Sequence, residues 1–347
     1  MKRFLITGGC GYIGSHTCFT LLDSGYEIIV VDSNKNSTED PLKNLKKLNY
    51  RDKIDFKKKL KFIKGDIRDE RLLISIFESA FSENKTIDGV IHFAALKSVS
   101  ESIQKTLNYW ENNVGGSITL LKVMEKFNCR KIIFSSSAAI YRSKNNKLLD
   151  ENDVVEPYSP YGETKVAIEK ILNSLYLNSR SNWQIVNLRY FNPIGAHPSG
   201  IIGENPLGKP ENLLPHILLA ASGKNENLKI FGNDWGTPDG TCIRDFIHVL
   251  DLANAHKAAI DLLLTNESTL HNINIGTGTG TSVLQLVKVF QKVNSCKFPI
   301  IFAERRPGDI PFSVANNSFA LEKLSWVPIR SLEDMCKDSW NWFKKNL

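Results

Sequence analysis

Short apolar runs recur along the first half of the chain, separated by polar or glycine-rich stretches. They predict buried parallel strands at residues 4–6, 27–31, 60–63, 89–93, 131–134 and 183–190. Apolar residues at helical spacing predict helices at 15–22, 109–127, 160–177, 213–221, 249–264, 284–293 and 331–343. Strands that alternate with helices are typical of an α/β fold with a doubly wound parallel sheet.

A glycine-rich turn follows the first predicted strand. Gly8, Gly11 and Gly14 lie between that strand and the first predicted helix. This is the context in which a dinucleotide pyrophosphate binds, because glycines let the backbone approach the phosphates and the helix N-terminus supplies N–H groups. The pattern therefore favours a dinucleotide site over a glycine-rich loop without a ligand.

The acidic residue after the second strand, Asp32, favours NAD over NADP. It can accept hydrogen bonds from the adenosine ribose hydroxyls, and it would repel a 2′-phosphate. The polar loop that follows, which includes Ser33 and Asn34, is expected to lie over the adenosine. Asp66, after the third strand, is expected to accept a hydrogen bond from the adenine amine.

Small or polar residues follow the fourth and fifth strands. Ala94 and Ala95 would let the backbone lie against the cofactor, and Lys97 can reach a phosphate or a ribose. Ser137 follows the fifth strand, at the edge where α/β sheets bind ligands, so it can hydrogen-bond a substrate hydroxyl and Tyr161. A serine-rich turn without a catalytic role is the alternative for Ser137.

Tyr161 and Lys165 are predicted to share one face of a helix that begins at Ser159 and Pro160. A free tyrosine has a pKa near ~10, and a nearby ammonium lowers it by favouring the phenolate. A base at neutral pH needs a pKa about 3 units lower, of which Lys165 can supply part and a cationic cofactor ring more. The alternative is an ordinary amphipathic helix with an exposed lysine.

Composition and charge exclude several other classes of protein. The formal net charge is +7, and much of it lies in a lysine-rich stretch at 43–64. That stretch lacks the aromatic interleaving of a single-strand-binding platform, so a solvated helix and loop are expected there rather than a nucleic-acid site. The six cysteines show no Cys-x-x-Cys pair and no zinc spacing, and there is no signal peptide, so we expect reduced thiols, no metal and a cytoplasmic location. No apolar run is long enough to span a membrane.

A change in composition divides the chain. Residues 192–229 are rich in Gly, Pro and Asn, and they mark the entry into a second part. We expect a dinucleotide-binding domain at 1–191 with a returning helix at about 242–264, and a smaller α/β substrate-binding domain, mainly at 192–347, interleaved at the C-terminal end. The last helix is expected to turn Trp340 and Phe343 inward.

Several motifs together resemble the extended short-chain dehydrogenase/reductase superfamily: 7–14, 65–68, 92–97, 135–137 and 161–165. Two more, 188–200 and 231–253, are similar to the UDP-glucose 4-epimerase family, and the resemblance runs from about residue 2 to 343. It implies a Rossmann-type fold that binds NAD and UDP-hexose, and a homodimer built on the two long helices 109–127 and 160–177.

The resemblance also implies roles for individual residues. Tyr161 would be the base, Lys165 would tune it and bind the nicotinamide ribose, and Ser137 would orient the sugar hydroxyl. NAD would also contact Tyr12, Ile13, Asp32, Asp66, Ile67, Phe93, Ala94, Lys97, Asn112 and Phe191. The UDP-sugar would contact Asn192, Asn212, Leu213, Phe231, Arg244, Arg306 and Asp309. The two arginines suit a diphosphate, which a guanidinium can hold bidentately.

The implied reaction interconverts UDP-glucose and UDP-galactose. Tyr161 would take the proton of the 4-hydroxyl, hydride would pass from C4 to NAD, and the 4-keto sugar would turn over before hydride returns to its other face. Related nucleotide-sugar dehydratases carry an acidic pair where this chain has Ala138 and Ala139, which disfavours elimination. A redox-sensing or scaffold protein that binds NAD without catalysis is the other alternative, but it would be expected to lack Tyr161 or Lys165.

Two positions set this chain apart within the family pattern. Arg142 replaces a glycine that family members usually carry, so the loop there is expected to differ locally because arginine does not readily adopt a positive φ. Ser313 is small where the family varies. We therefore expect room for the N-acetyl group of UDP-GlcNAc and UDP-GalNAc.

Overall fold

The computed structural model describes residues 1–48, 55–142, 147–178, 182–208, 210–265, 268–306 and 308–347. Its strands are Arg3–Thr7 (β1), Glu27–Asp32 (β2), Leu60–Lys64 (β3), Gly89–His92 (β4), Lys131–Ser137 (β5), Gln184–Tyr190 (β6), Asn192–Ile194 (β7), Leu228–Phe231 (β8), Ile243–Arg244 (β9), Phe246–His248 (β10), Thr269–Ile275 (β11), Thr281–Ser282 (β12), Ile300–Ala303 (β13) and Phe312–Ser313 (β14). Its α-helices are Tyr12–Asp23 (α1), Asp40–Leu45 (α2), Phe56–Lys59 (α3), Glu70–Ser82 (α4), Val99–Gln104 (α5), Thr106–Tyr109 (α6), Gly116–Lys126 (α7), Pro160–Leu177 (α8), Leu213–Ala221 (α9), Val249–Leu263 (α10), Val283–Val293 (α11), Ser318–Leu324 (α12) and Leu332–Lys345 (α13).

The central sheet has 7 strands in the order β11–β6–β5–β4–β1–β2–β3. All its neighbours run parallel. The chain builds one half outward from β1 and then crosses back to begin the other half at β4. This crossing is the switch point at which open α/β sheets bind ligands, and the predicted α/β fold is confirmed.

The apolar runs predicted the inner strands well because those strands are buried on both faces. Every residue of β1, β2 and β6 is buried. No apolar run predicted β11, an edge strand that pairs with β6. Only its last part, 273–275, is buried, so its polar first part conceals the pattern.

The long helix predicted at 109–127 is interrupted. A π-helical turn spans Trp110–Gly115, between α6 and α7. It turns Asn113 inward, where the side-chain oxygen accepts from Leu96 N at 2.8 Å and the nitrogen donates to Thr164 Oγ1 at 3.1 Å. Such turns often occur at functional sites, and here the turn joins the end of β4 to helix α8.

Helices cover both faces of the sheet. Apolar residues of α1 and α10 form a core on one face, and those of α4, α7 and α8 form a core on the other. A third core joins α9, α11 and α13, with Trp340 and Phe343 packed partly buried against it. The boundary near residue 191 stays a prediction, and α10 and β11 return beyond it to the central layers.

The basic stretch at 43–64 is solvated where it is described. Lys57 and Lys58 are exposed on the short helix α3, and residues 49–54 lie outside the described part of the chain. Among the described residues, no helix is both long and apolar enough to cross a bilayer.

Candidate active site

A large cavity of about 1040 Å³ opens at the carboxyl ends of the central strands. The predicted site residues that line it are Gly8, Gly11, Tyr12, Ile13, Gly14, Asp32, Ser33, Asp66, Ile67, Phe93, Ala94, Ala95, Lys97, Asn112, Ser137, Tyr161, Lys165, Phe191, Asn192, Asn212 and Leu213. The predicted residues outside its lining are Asn34, Phe231, Arg244, Arg306, Asp309 and Ser313. One cavity therefore brings together the predicted cofactor and catalytic groups with only part of the substrate group.

Two positions of the turn after β1 have no room for a side chain, Gly8 and Gly14. Gly8 has φ +73°, and a Cβ there would lie 2.7 Å from the backbone nitrogen of Ala94. A Cβ on Gly14 would lie 2.4 Å from the carbonyl oxygen of Gly8. Gly11 is the N-cap of α1, and no side chain hydrogen-bonds the first N–H groups of this helix. Because residues 11–14 line the cavity, these N–H groups can bind an anion there.

Asp32 is anchored at the adenosine end of the cavity. Its Oδ2 accepts from Cys10 N at 2.9 Å, and its Oδ1 accepts from Asn34 N at 2.9 Å and Ser37 Oγ at 3.0 Å. These donors orient the carboxylate and leave it lone pairs for ribose hydroxyls. Asn34, with φ 55°, contributes through its backbone rather than its side chain.

Asp66 is held by two cations. Arg68 binds both carboxylate oxygens, at 3.0 Å through Nε and 2.8 Å through Nη2, and Lys35 lies 3.3 Å away. The hydrogen bonds from Arg68 hold the pKa of Asp66 well below its usual range. A charged carboxylate at this place can accept from an amine.

The three predicted catalytic residues lie together at the end of β5 and the start of α8. Ser159 caps α8 by accepting from Gly162 N at 3.2 Å, as predicted. Lys165 Nζ donates to Ser135 O at 2.7 Å and lies 5.7 Å from the ring centroid of Tyr161. The side chain of Ser137 lies beside that of Tyr161, and Lys165 is 2% exposed. The buried lysine of this arrangement excludes the ordinary amphipathic helix.

The pKa of Tyr161 is raised, not lowered, in the protein alone, and the tuning of Tyr161 by Lys165 stays a prediction. Burial raises the pKa of Tyr161, and the hydrogen bond with Ser137 opposes the rise only in part. Burial also lowers the pKa of Lys165 to about 7, against the opposing charge of Glu169. Both shifts have one cause: a dry site favours the neutral form of each group.

The residues predicted to bind a diphosphate form a second group beside the cavity. Arg244 Nη2 and Arg306 Nε lie 3.6 Å and 3.7 Å from the carboxylate of Asp309. The Arg306 guanidinium lies 4.4 Å from the ring centroid of Phe231. Arg244 is in β9, just before Phe246, whose side chain lines the cavity, so the two groups adjoin.

The two unusual positions have ordinary backbones. Arg142 does not have a positive φ, in keeping with the expectation that arginine avoids the conformation in which family members carry glycine. Its guanidinium pairs with Glu156 and lies 5.7 Å from the ring centroid of Tyr158. Residues 143–146 of that loop lie outside the described part of the chain. Ser313 is buried in β14, beside Arg244 of β9.

Sequence reasoning missed several residues of the cavity wall, above all Glu204. This carboxylate is 7% exposed, its Oε1 accepts from Asn212 Nδ2 at 2.8 Å, and Lys97 Nζ lies 3.7 Å away. Among the described residues, nothing hydrogen-bonds its Oε2. Glu204 thus connects a predicted cofactor residue with a predicted substrate residue. Only its place in the Gly- and Pro-rich loop could have signalled this. No cluster of metal-ligating side chains occurs in the described ranges.

Comparisons with known proteins agree with this geometry. Residues 5–339 match the family model described as GDP-mannose 4,6 dehydratase. The chain is 46% identical to the UDP-glucose 4-epimerase of Bacillus subtilis (strain 168), over 99% of this chain and 97% of that protein. The chain belongs to the UDP-glucose 4-epimerase family.

Solved structures of the UDP-glucose 4-epimerase family share the fold throughout. The enzyme from Stenotrophomonas maltophila, solved with bound NAD and formylated UDP-arabinopyranose, has a TM-score of 0.93 and 38% identity, covering 100% of this chain and 99% of its own. The enzyme from Bifidobacterium longum, solved with NAD+ and UDP, has a TM-score of 0.91 and 41% identity, covering 99% of both chains. The resemblance inferred from the motifs is therefore confirmed.

Proposed function

We propose that this protein interconverts UDP-glucose and UDP-galactose by inverting sugar C4 with NAD as a retained cofactor. One observation carries the proposal: Tyr161, Ser137 and Lys165 lie together at the wall of a cavity suited to a dinucleotide, in a chain of the UDP-glucose 4-epimerase family. Such an enzyme is an isomerase, because oxidation and reduction cancel over one turnover.

The residues of the cavity fit NAD. The turn formed by Gly8 and Gly14 has no room for a Cβ, as a close backbone approach requires. Asp32 suits an unphosphorylated ribose, since its carboxylate is already oriented by three donors. Lys97 also lines the cavity, where it can reach a phosphate or ribose. When bound, NAD supplies the acceptor and then the donor for the C4 hydride.

The protein itself handles the proton and the orientation of the sugar. Ser137 lies beside Tyr161 and can accept or donate at the sugar 4-hydroxyl. Tyr161 removes the hydroxyl proton as a phenolate and later returns it. Because burial opposes the phenolate, the positive charge of Lys165 is required in the loaded site.

The nucleotide end would be held by the second group of residues. Arg244 and Arg306 suit a diphosphate, and Asp309 suits ribose hydroxyls. Asn192, Asn212 and Leu213 line the cavity, where the sugar would lie. These remote contacts provide binding energy, while the sugar needs freedom to rotate about its link to UDP.

Elimination is disfavoured although the matching family model is described as a dehydratase. An elimination needs an acid beside the reacting sugar, and Ala138 and Ala139 form the turn directly after Ser137. Ala139 lines the cavity and supplies no proton. A second substrate class, the N-acetylated UDP-hexoses, is proposed because Ser313 is small and lies beside Arg244.

We also infer a homodimer formed through α7 and α8. Apolar side chains are exposed around these helices: Ile103 is 59% exposed, Leu107 85%, Ile118 37% and Leu177 70%. An exposed apolar face of this kind suits a second copy of the chain. We further propose that the protein works in the cytoplasm, where its six free cysteines stay reduced.

The test is to identify the products formed from UDP-galactose by purified protein with no added NAD, using nuclear magnetic resonance. We expect UDP-glucose. Tyr161→Phe should lower turnover by about 10²–10⁴-fold, because it removes the general base. Tyr158→Phe, at a tyrosine that is 50% exposed, is the matched control and should retain full turnover. No conversion, even with NAD added, would refute the proposal in favour of a non-catalytic NAD-binding protein.

A further inference from the structure

A buried ion pair lies behind the catalytic helix. Arg189 of β6 binds Glu169 of α8 through two contacts, Nε to Oε1 at 3.0 Å and Nη2 to Oε2 at 2.7 Å. The side chains are 4% and 9% exposed. Neither residue lines the cavity, so neither can touch a substrate there.

The pair is tied directly to the catalytic groups. Glu169 lies one helical turn beyond Lys165, which lies one turn beyond Tyr161. Ser136 Oγ donates to Glu169 Oε1 at 2.6 Å. Its neighbours in β5 lie at the other two groups, since Ser135 O accepts from Lys165 Nζ and Ser137 lies beside Tyr161. One short run of β5 therefore connects the ion pair to both reacting side chains.

Arg189 is held firmly on its other side. Its Nη1 donates to Tyr141 Oη at 2.8 Å and to Glu151 O at 2.9 Å. Tyr141 Oη in turn donates to Asn274 Oδ1 at 2.6 Å. These bonds keep the guanidinium in place, so Glu169 remains engaged with it rather than with Lys165.

The other titratable groups around α8 do not supply a negative charge that would stabilise the ammonium of Lys165. Burial lowers the pKa of His92 to about 3, so this histidine of β4 is neutral. Burial keeps Tyr190 of β6 protonated by raising its pKa. Glu101 of α5 is bound by Lys105 and by Tyr109 of α6. His271 of β11 is a half-buried residue whose pKa burial lowers.

Glu169 is therefore the anion that favours the ammonium of Lys165, a group that burial would otherwise neutralise. A Glu169 freed from Arg189 would pair with Lys165 directly and hold it away from its task. A missing Glu169 would leave an unbalanced guanidinium, which repels the ammonium.

We propose that Arg189 and Glu169 are a positioning pair that sets the charge of Lys165 and with it the pH range in which Tyr161 and Lys165 work together. This inference rests on the proposed function. The working state needs Tyr161 deprotonated and Lys165 protonated, so the rate should follow a bell-shaped dependence on pH.

The two partners should shift the bell in opposite directions. Glu169→Gln removes an anion and leaves a cation, so both Tyr161 and Lys165 lose their protons at lower pH, and the bell moves to lower pH by about one unit. Arg189→Met leaves an anion, so the bell moves to higher pH by about one unit. The double variant should return close to the wild-type profile.

A matched control exists at the other end of the sheet. Arg3 and Glu27 form an equally buried pair, with side chains 8% and 7% exposed and Nη2 to Oε2 at 2.9 Å. Glu27→Gln breaks a comparable pair far from the cavity, so it should weaken folding without moving the bell. If Glu169→Gln does not fold, Ser136→Ala replaces it: it removes a neutral donor from Glu169 and should move the bell to higher pH.

The first measurement is the pH dependence of kcat. The second does not depend on turnover: it is the tyrosinate ultraviolet absorbance of each variant minus that of the same variant carrying Tyr161→Phe, which isolates the titration of Tyr161. Opposite shifts for Glu169→Gln and Arg189→Met support the inference. For these two variants, shifts in one direction, no shift, or an equal shift in Glu27→Gln would overturn it. Where Ser136→Ala is used in place of Glu169→Gln, a Ser136→Ala profile that is unshifted or moves to lower pH would overturn it. If the wild type shows no turnover, the proposed function fails, and the absorbance titration still decides the role of the pair.

Discussion

The glycine turn after β1 offers the sharpest test of the cofactor site. Replacing Gly14 by alanine would place a Cβ 2.4 Å from Gly8 O and 2.8 Å from Gly9 Cα. Ordinary carbon contacts are roughly 3.5–4.0 Å, so the turn has to open by about 1 Å. Gly8 cannot move away from such a Cβ to relieve the contact, because the backbone of Ala94 packs closely against its Cα.

The size of the effect follows from that displacement. Overpacking of this kind costs about 1–3 kcal/mol of folding free energy. The same movement draws the backbone N–H groups at the start of α1 away from a bound pyrophosphate. A hydrogen bond to a charged group contributes about 1.5–3 kcal/mol, so each bond lost should weaken NAD binding about 10- to 150-fold.

The assay measures NAD that copurifies with each variant, released by denaturation and quantified by absorbance, together with thermal unfolding. Gly115→Ala is the matched control, because a Cβ there meets nothing within 4 Å and its backbone is helical. The control should keep its NAD and gain slightly in stability, by up to about 1 kcal/mol. Gly14→Ala that retains a full complement of NAD would refute the reasoning.

Three further predictions concern other parts of the chain. Ser313→Tyr should lower kcat/KM for UDP-GalNAc much more than for UDP-galactose, and an unchanged ratio would contradict the proposed room for an N-acetyl group. Glu204→Gln removes a charge from the cavity wall and should raise the KM for UDP-galactose about 10-fold. Glu226→Gln, at an exposed acid outside the cavity lining, should not, and equal KM values would argue against a binding role for Glu204. Burial lowers the pKa of His16 and His92 to about 3, while their unfolded pKa is ~6.5, so the unfolded state binds protons first as pH falls. The stabilisation that the two neutral histidines provide is complete above pH ~6.5 and is lost as the pH falls toward ~3. At pH ~5 the free energy of unfolding should already be lower by about 2 kcal/mol for each histidine. A free energy of unfolding by urea that stays constant between pH 7 and 5 would disprove this.

The cofactor half was predictable because local rules govern it. Strands buried on both faces appear as apolar runs, and the turn at Gly8 and Gly14 needs residues without a Cβ. The cap at Ser159 likewise depends only on its own helix. In each case a few neighbouring residues contain the whole signal.

What the sequence did not predict depends on distant contacts. Glu204 gains its role from Lys97 and Asn212, which come from different parts of the chain. The π turn forms where Asn113 reaches Leu96, and no period in the sequence announces it. The raised pKa of Tyr161 follows from its burial in the cavity wall, which a helical pattern alone does not reveal.

The two groups of predicted binding residues are organised in different ways. At the cofactor end, Asp32 accepts from three donors at 2.9–3.0 Å and is set before any ligand arrives. At the nucleotide end, Arg244 and Arg306 share Asp309 through longer contacts of 3.6 and 3.7 Å. Partly exposed ion pairs of this length contribute about 0–1 kcal/mol, so a diphosphate can replace them at little cost. A pre-formed site suits a cofactor that stays through every turnover, and exchangeable ion pairs suit a substrate that must leave after each one.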